Sequence, residues 1–174
     1  MTSWTDRILE DGVTFRLLDE LYSRVVLPAI ADLRKYRPFS SNVYGELMPP
    51  LIADIIRITN LTKGDLFLDL GSGVGQVAIQ VALQAGCRSY GIEQQANPAR
   101  IARTLLQQAK IRTKMWGVKL GEVELEEGDM LMSLRVQKLI PEADVVLVTN
   151  LLFSEQREYL DMIWLLCLFS PVTL

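Results

Sequence analysis

The sequence predicts the α/β class, a parallel sheet covered by helices on both faces and entered through an N-terminal helical segment. Three observations carry this expectation. From residue 66 onward, short apolar runs of strand length alternate with longer stretches of helical period. A glycine-rich turn, Gly71-Ser72-Gly73-Val74-Gly75, joins one such run directly to one such stretch. The run at 143–148, centred on Val145-Val146-Leu147-Val148, has no polar alternation, as expected of a strand with both faces covered and both edges paired.

The elements follow in order. Between residues 6 and 33, Ile8, Leu9, Leu17, Leu18, Leu21, Val25 and Val26 recur at helical spacing, and Pro28 is placed to end or kink that helix. Residues 34–41 mix charge, proline and serine without a period and predict an ordered loop. Pro49 and Pro50 sit where a first helical turn tolerates proline, ahead of Leu51, Ile52, Ile55 and Ile56. A turn follows at Lys63-Gly64-Asp65. A strand is expected over 66–70, a helix over 74–85 stopped by Gly86, and a second strand over 88–93. A long helix over 97–116, a third strand over 123–125 and a fourth over 143–148 complete the alternation. Residues 159–169 are expected to form a helix that runs into the apolar stretch 162–174. No internal repeat, low-complexity tract or linker interrupts the chain.

Composition bounds the function. With 174 residues, 49% hydrophobic and 22% charged, the chain has the balance of one soluble globular domain. A net charge of -3 removes the composition-level case for a freestanding nucleic-acid-binding module, so a charged partner has to be met by a local patch or another chain. The absence of histidine excludes Ser-His-Asp triads, histidine general bases and histidine-ligated metals, and no metal site is expected. Cys87 and Cys167 lack CxxC spacing and are expected as reduced thiols. Asp6, Arg7, Glu10 and Asp11 break the apolar stretch a secretory signal needs. The thirteen apolar-rich residues at 162–174 fall short of the roughly 20 needed to span a bilayer, so no membrane partner is expected.

The chemistry concentrates at the glycine turn. Glycines there let the backbone turn tightly and approach a ligand, while the helix that follows offers free N–H groups. Gln76 stands where the dinucleotide fingerprint places its third glycine, so the spacing is GxGxG and points to a ligand without a pyrophosphate. Asp69 ends the first strand and aims a carboxylate at the crevice, where an ammonium group can lie. Glu93, 22 residues after Gly71 and ending the second strand, occupies the position from which an acid accepts from ribose hydroxyls. Asp129, after the third strand, can accept from an exocyclic amine while Met130 packs on a base. One carboxylate after each of three successive strands fits a nucleoside with a cationic tail, and S-adenosylmethionine is that molecule. Singly, each carboxylate is also explained as a cap, a turn residue or a solvated strand end. Glu122, Glu124, Glu126 and Glu127 are taken as a solvated stretch, and Arg100, Arg103, Lys110, Arg112, Lys114 and Lys119 as a solvent face in preference to a nucleic-acid or histone-tail contact.

The segments YRPFSSNVYGEL (36–47), FLDLGSGVGQ (67–76), YGIE (90–93), GDM (128–130) and VLVTNLLF (146–153) together resemble the disruptor-of-telomeric-silencing histone-lysine methyltransferases, the class built without a SET domain. The similarity runs in unchanged order from about residue 17 to 155, and DLGSGVGQ with an upstream VYGE is far more specific than the glycine turn alone. The resemblance implies a Rossmann-like class I S-adenosylmethionine-dependent methyltransferase sheet, with residues 1–43 as an N-terminal helical segment and loop and residues 44–174 as the methyltransferase domain. It implies that Tyr44, Gly45, Glu46 and Leu47 close over the methionine part of the cofactor. Phe67, Leu68, Asp69, Leu70, Gly71, Ser72, Gly73, Val74, Gly75 and Gln76 would cradle the cofactor, Glu93 would hold its ribose, and Asp129 with Met130 its adenine. Members commonly carry phenylalanine where this chain has Met130, which keeps apolar contact and loses ring stacking. Asn150 matches the second of the family's paired asparagines and, with Tyr44, would stand at the transferred methyl and entering lysine; Thr149 replaces the first asparagine.

The implied reaction moves the sulfonium methyl to a lysine ε-amine in the globular core of histone H3 on the nucleosome, in the nucleus, with a link to telomeric silencing and with only indirect or weak DNA contact. Sheets of this class have seven strands, whereas four are counted here up to Val148. The sheet is therefore expected to be incomplete, as in a C-terminally truncated chain, with an exposed apolar edge on its fourth strand. Two further readings stay open: a remnant that binds cofactor without methylating, and a methyltransferase for other proteins or small molecules. The GxGxG spacing disfavours a nicotinamide nucleotide.

Overall fold

The structure, a computed structural model, describes residues 11–30, 47–149 and 163–167. Its elements are α1 (Asp11–Leu21), α2 (Pro49–Thr59), β1 (Leu66–Leu70), α3 (Gln76–Gln84), β2 (Arg88–Glu93), α4 (Ala96–Trp116), β3 (Val123–Glu127), α5 (Leu134–Leu139), β4 (Val145–Thr149) and β5 (Ile163–Cys167). The sheet order is β3-β2-β1-β4-β5, parallel from β3 to β4, with β5 antiparallel to β4. The strand order reverses direction between β2 and β4 around β1, which is where an open sheet of this kind presents its crevice.

The sequence dictates most of this locally. All five residues of β1 are buried, as a central strand requires. Pro49 and Pro50 occupy the first positions of α2, which ends at Asn60 in the left-handed conformation. Gly86 (φ 68°) follows α3 as the expected stop, and Gly117 (φ 65°) ends α4. The first helix loses α-helical hydrogen bonding after Leu21, ahead of Pro28, passing through a π turn (Tyr22–Val26) into a 3₁₀ turn (Leu27–Ala29) that contains Pro28. The Lys63-Gly64 turn is held by Asp65, whose Oδ2 accepts from the Thr62 amide at 2.6 Å.

Packing closes around three clusters. Leu17, Leu18 and Leu21 of α1 join Ile79 and Leu105 over one sheet face, so the N-terminal segment shares the core of the α/β unit. On the same side, Ile52 and Ile55 of α2 meet Phe67, Val81 and Leu147. Opposite, Leu66, Leu68, Tyr90 and Ile92 pack under Val136 and Leu139 of α5. Each fully buried side chain of this size contributes about 1.5–3 kcal/mol of transfer free energy.

Two expectations are corrected. The stretch 159–169 contains β5, not a helix: Ile163 pairs with Thr149 and Cys167 with Val145. An unbroken apolar run has no period to separate strand from helix, and pairing with β4 decides it. The fourth strand consequently has a neighbour at both edges, β1 and β5, and does not present the open apolar edge expected. The short helix α5 was not anticipated. Cys87 is a buried free thiol whose pKa burial pushes up to about 12, and no described helix is long and apolar enough to cross a membrane.

Candidate functional site

The turn after β1 is built to come close to β2. Gly71, Gly73 and Gly75 all have positive φ (93°, 54° and 77°), a backbone course that side-chain-bearing residues rarely adopt. The amides of Gly71 and Ser72 both donate to the carbonyl of Ile92 at 2.9 Å, which folds the loop over the end of the neighbouring strand. Space for it comes from Gly91: a Cβ there would lie 2.8 Å from the Ser72 Cβ and 2.8 Å from a Leu125 methyl. Gly91 was not singled out from the sequence, although a lone glycine inside a strand is itself a signal of close backbone approach. Gly75 serves the same purpose one turn on, where a Cβ would collide with Leu125 Cδ1 at 2.5 Å.

Glu93 ties the crest together. Its Oε2 accepts from the Gly73 amide at 3.0 Å and its Oε1 from the Gln95 amide at 2.8 Å, so one carboxylate fixes the glycine loop and the entry to α4. Its carbonyl accepts from Gly128 at 2.9 Å, drawing the turn after β3 alongside. In that turn Asp129 Oδ1 accepts from the Leu131 amide at 2.8 Å and its carbonyl from Ser133 at 2.9 Å. Met130 packs against the cluster of Leu70 and Ile92. Strand alternation puts Asp69 on the same face as Phe67, beneath α2 and α3, where Leu47 also packs.

Asp69 differs from the other acids. It is 1% exposed, and its Oδ2 has no hydrogen-bond partner. Burial first, and the charge of Glu93 second, raise its pKa to about 7. A buried carboxylate without its complement of donors costs stability and is the kind of group that a cationic ligand satisfies. Gln76 Oε1, at the start of α3, is likewise buried without a partner. The loop, Asp69, Glu93, Asp129 and Met130 thus gather at the C-terminal ends of β1, β2 and β3, while Leu47 packs against the cluster of Phe67 and Leu147. Tyr44, Gly45, Glu46 and Asn150 lie outside the described residues.

The acids read as a solvated stretch are engaged elsewhere. Glu126 accepts from the Tyr90 hydroxyl at 2.8 Å, Glu127 pairs with Arg103 at 3.1 Å, and Glu124 pairs with Arg135. Among the described residues no group of histidine, cysteine and acidic side chains is arranged to hold a metal.

Comparison with known proteins gives a consistent set of likenesses. The family described as histone methylation protein DOT1 matches residues 22–162. A protein of Aspergillus fumigatus named histone-lysine N-methyltransferase, H3 lysine-79 specific, is 39% identical over 153 residues, covering 84% of this chain and 30% of that protein. A protein of the same name from Chaetomium globosum is 43% identical over 150 residues, covering 86% of this chain and 29% of the other. The chain therefore spans about 30% of the length of the curated relatives it matches. Among solved structures, an O-methyltransferase from Bacillus cereus in complex with SAH is similar at a TM-score of 0.49 and 18% identity, covering 78% of this chain and 66% of that one.

Proposed function

The chain belongs to the DOT1 histone methylation protein family, and on that premise we propose that it carries the S-adenosylmethionine site of a histone-lysine N-methyltransferase acting on nucleosomes. The substrate is a lysine in the globular core of histone H3, the specificity that the fungal relatives carry in their names, and the place of action is chromatin in the nucleus, with a link to telomeric silencing. The observation that carries the reading is Asp69, a buried carboxylate with an unpartnered oxygen at the strand end that leads into a loop of three positive-φ glycines.

The residues present fit the cofactor. Asp69 supplies the counter-charge for its ammonium group, and Gln76 Oε1 a further acceptor. Residues 67–76 would cradle the cofactor, with Gly71, Gly73 and Gly75 giving the turn its positive-φ course and Gly91 letting it seat against β2. Glu93 keeps its carboxylate at the strand end through two backbone donors, and each oxygen retains a lone pair for a ribose hydroxyl. Asp129 and Met130 take the adenine edge and face. When bound, S-adenosylmethionine supplies an electrophilic methyl group on a sulfonium. The family resemblance assigns Tyr44, Gly45, Glu46 and Leu47 to closing over its methionine part, and Asn150 with Tyr44 to orienting the entering lysine amine. That amine must be neutral; a dry, apolar approach lowers a lysine pKa and keeps water out of the displacement. No covalent intermediate on the protein is needed.

The test is methyl transfer from radiolabelled S-adenosylmethionine by the full chain, with nucleosomes and free histones side by side. Transfer to nucleosomes that disappears with Gly73→Arg, at a position with φ 54°, supports the proposal. Retention of cofactor with no transfer to either substrate assigns the chain the cofactor-binding role alone, and transfer only to metabolites overturns the histone assignment.

A further inference from the structure

Helix α4 is unlike the rest of the chain in its charge. Its 21 residues contain Arg100, Arg103, Lys110, Arg112 and Lys114 and no aspartate or glutamate, in a protein whose net charge is -3. Two of these cations are committed: Arg112 to Glu20 at 3.4 Å and Arg103 to Glu127 at 3.1 Å. Arg100, Lys110, Lys114 and, just past the helix, Lys119 are exposed and have no acidic partner among the described residues. At 100° per residue, Arg100, Arg103, Lys110 and Lys114 fall within about 80° of one another around the helix, with Gln107 between them. The stripe from Arg100 to Lys114 is roughly 21 Å long. It begins at the crevice, since α4 starts directly after Gln95, whose amide donates to Glu93.

We propose that this face of α4 is a docking surface for the phosphate backbone of duplex DNA. A ridge of flexible cations roughly 21 Å long, with no acid of its own helix and with the Arg103–Glu127 pair near its crevice end, matches the regular row of phosphates that a duplex presents at about 3.4 Å of axial rise per strand charge. A folded acidic protein offers no such row. The contact is sequence-independent, because a helix flank meets phosphates and leaves base edges unread. The charge pattern alone marks a polyanion site; the choice of DNA rests on the nucleosomal substrate proposed above. Such a contact would lay the crevice end of α4 beside the DNA and help hold the catalytic crest over the histone surface.

The test is fluorescence anisotropy of a labelled duplex of about 30 base pairs with the full chain, between about 25 and 200 mM salt, with a polyglutamate peptide as the second ligand. Duplex binding whose logarithmic affinity falls with log salt at a slope of about -3 to -4 is expected, as for four neutralised phosphates. Lys110→Gln with Lys114→Gln should cut the slope by about 2 and the affinity at 50 mM salt by at least tenfold. Lys138→Gln, on α5 across the sheet, should change neither. No duplex binding at about 25 mM salt, a slope unchanged in the double variant, or tighter binding of polyglutamate than of duplex overturns the proposal. Duplex binding does not require methyl transfer, so the two proposals fail separately: a chain that methylates nucleosomes with an unaltered rate in the double variant and no duplex affinity loses only this one.

Discussion

The two ends of the sheet handle buried and half-buried charge in opposite ways. At the end where β1 and β2 begin, the charged groups come with partners, although the buried Ser89 hydroxyl has none. The Leu66 amide donates to Asp144 at 2.8 Å, Tyr90 donates to Glu126, and Glu124 and Arg135 form an ion pair. At the end where β1 to β3 finish, Asp69 is buried with an oxygen left over, and Glu93 lies close enough to make its ionisation harder. Paired groups at one end hold the fold. At the other, the fold tolerates an unmet carboxylate, and the stability it forgoes is available to a ligand that supplies the missing charge.

The largest effect expected is on Asp69. Asp69→Asn should weaken S-adenosylmethionine binding more than a hundredfold by calorimetry, because the ammonium would lose the buried counter-charge proposed for it. The same substitution should make the free protein more stable at pH 8. The sign follows from the raised pKa: the folded chain holds a proton on Asp69 between about pH 4 and pH 7 that the unfolded chain has released. Stability therefore falls as pH rises through that window and stays low above it. Removing the charge recovers up to roughly 4 kcal/mol at pH 8 and flattens the pH dependence, as urea unfolding would show.

Next in size is the loop's seat. Gly91→Val places a branched side chain where even a Cβ would be 2.8 Å from Ser72, so cofactor affinity should drop more than tenfold and stability by about 1–3 kcal/mol. A smaller change sharpens the coupling between the acids. Glu93→Gln should weaken cofactor binding about tenfold and also move the pH midpoint of Asp69 downward, since the Glu93 charge is one cause of its elevation. The smallest effect belongs to the other end: Tyr90→Phe should cost about 1 kcal/mol through the lost bond to Glu126 and leave cofactor affinity unchanged. A Tyr90→Phe variant that lost cofactor affinity would break the contrast between the two ends.

Much of this was legible in the residues. The bounds expected for β1 and β2 match those observed, because Leu66–Leu70 is flanked by a turn and a glycine loop and Arg88–Glu93 lies between Gly86 and a helix start. The glycine loop, Glu93 and Asp129 were placed together for the same reason: the chain order of an α/β unit puts every strand's C-terminal end at one crest. Helix α5 escaped notice since six residues hold less than two turns of pattern, and only the Ser133 cap marks its start. Strand β3 runs two residues beyond expectation, to Glu127, because its edge position tolerates the charged alternation Glu124, Glu126 and Glu127 that reads locally as a surface stretch. The segment at Ile163–Cys167 took the wrong type because its neighbour across the sheet, not its own period, fixes it. Neither the orphaned oxygen of Asp69 nor the clearance at Gly91 is visible without coordinates, since each is a property of what other elements leave unfilled.

Whether Asp69 is held in wait for a cation is tested most directly by calorimetric titration of S-adenosylmethionine into the full chain across pH 5.5–8.5. Affinity should rise about tenfold per pH unit below the Asp69 midpoint near 7, with protons released on binding, and fall again above about pH 8 as the ligand's own amino group loses its charge. An affinity that is flat from pH 5.5 to 7, or equal in wild type and Asp69→Asn, would contradict it.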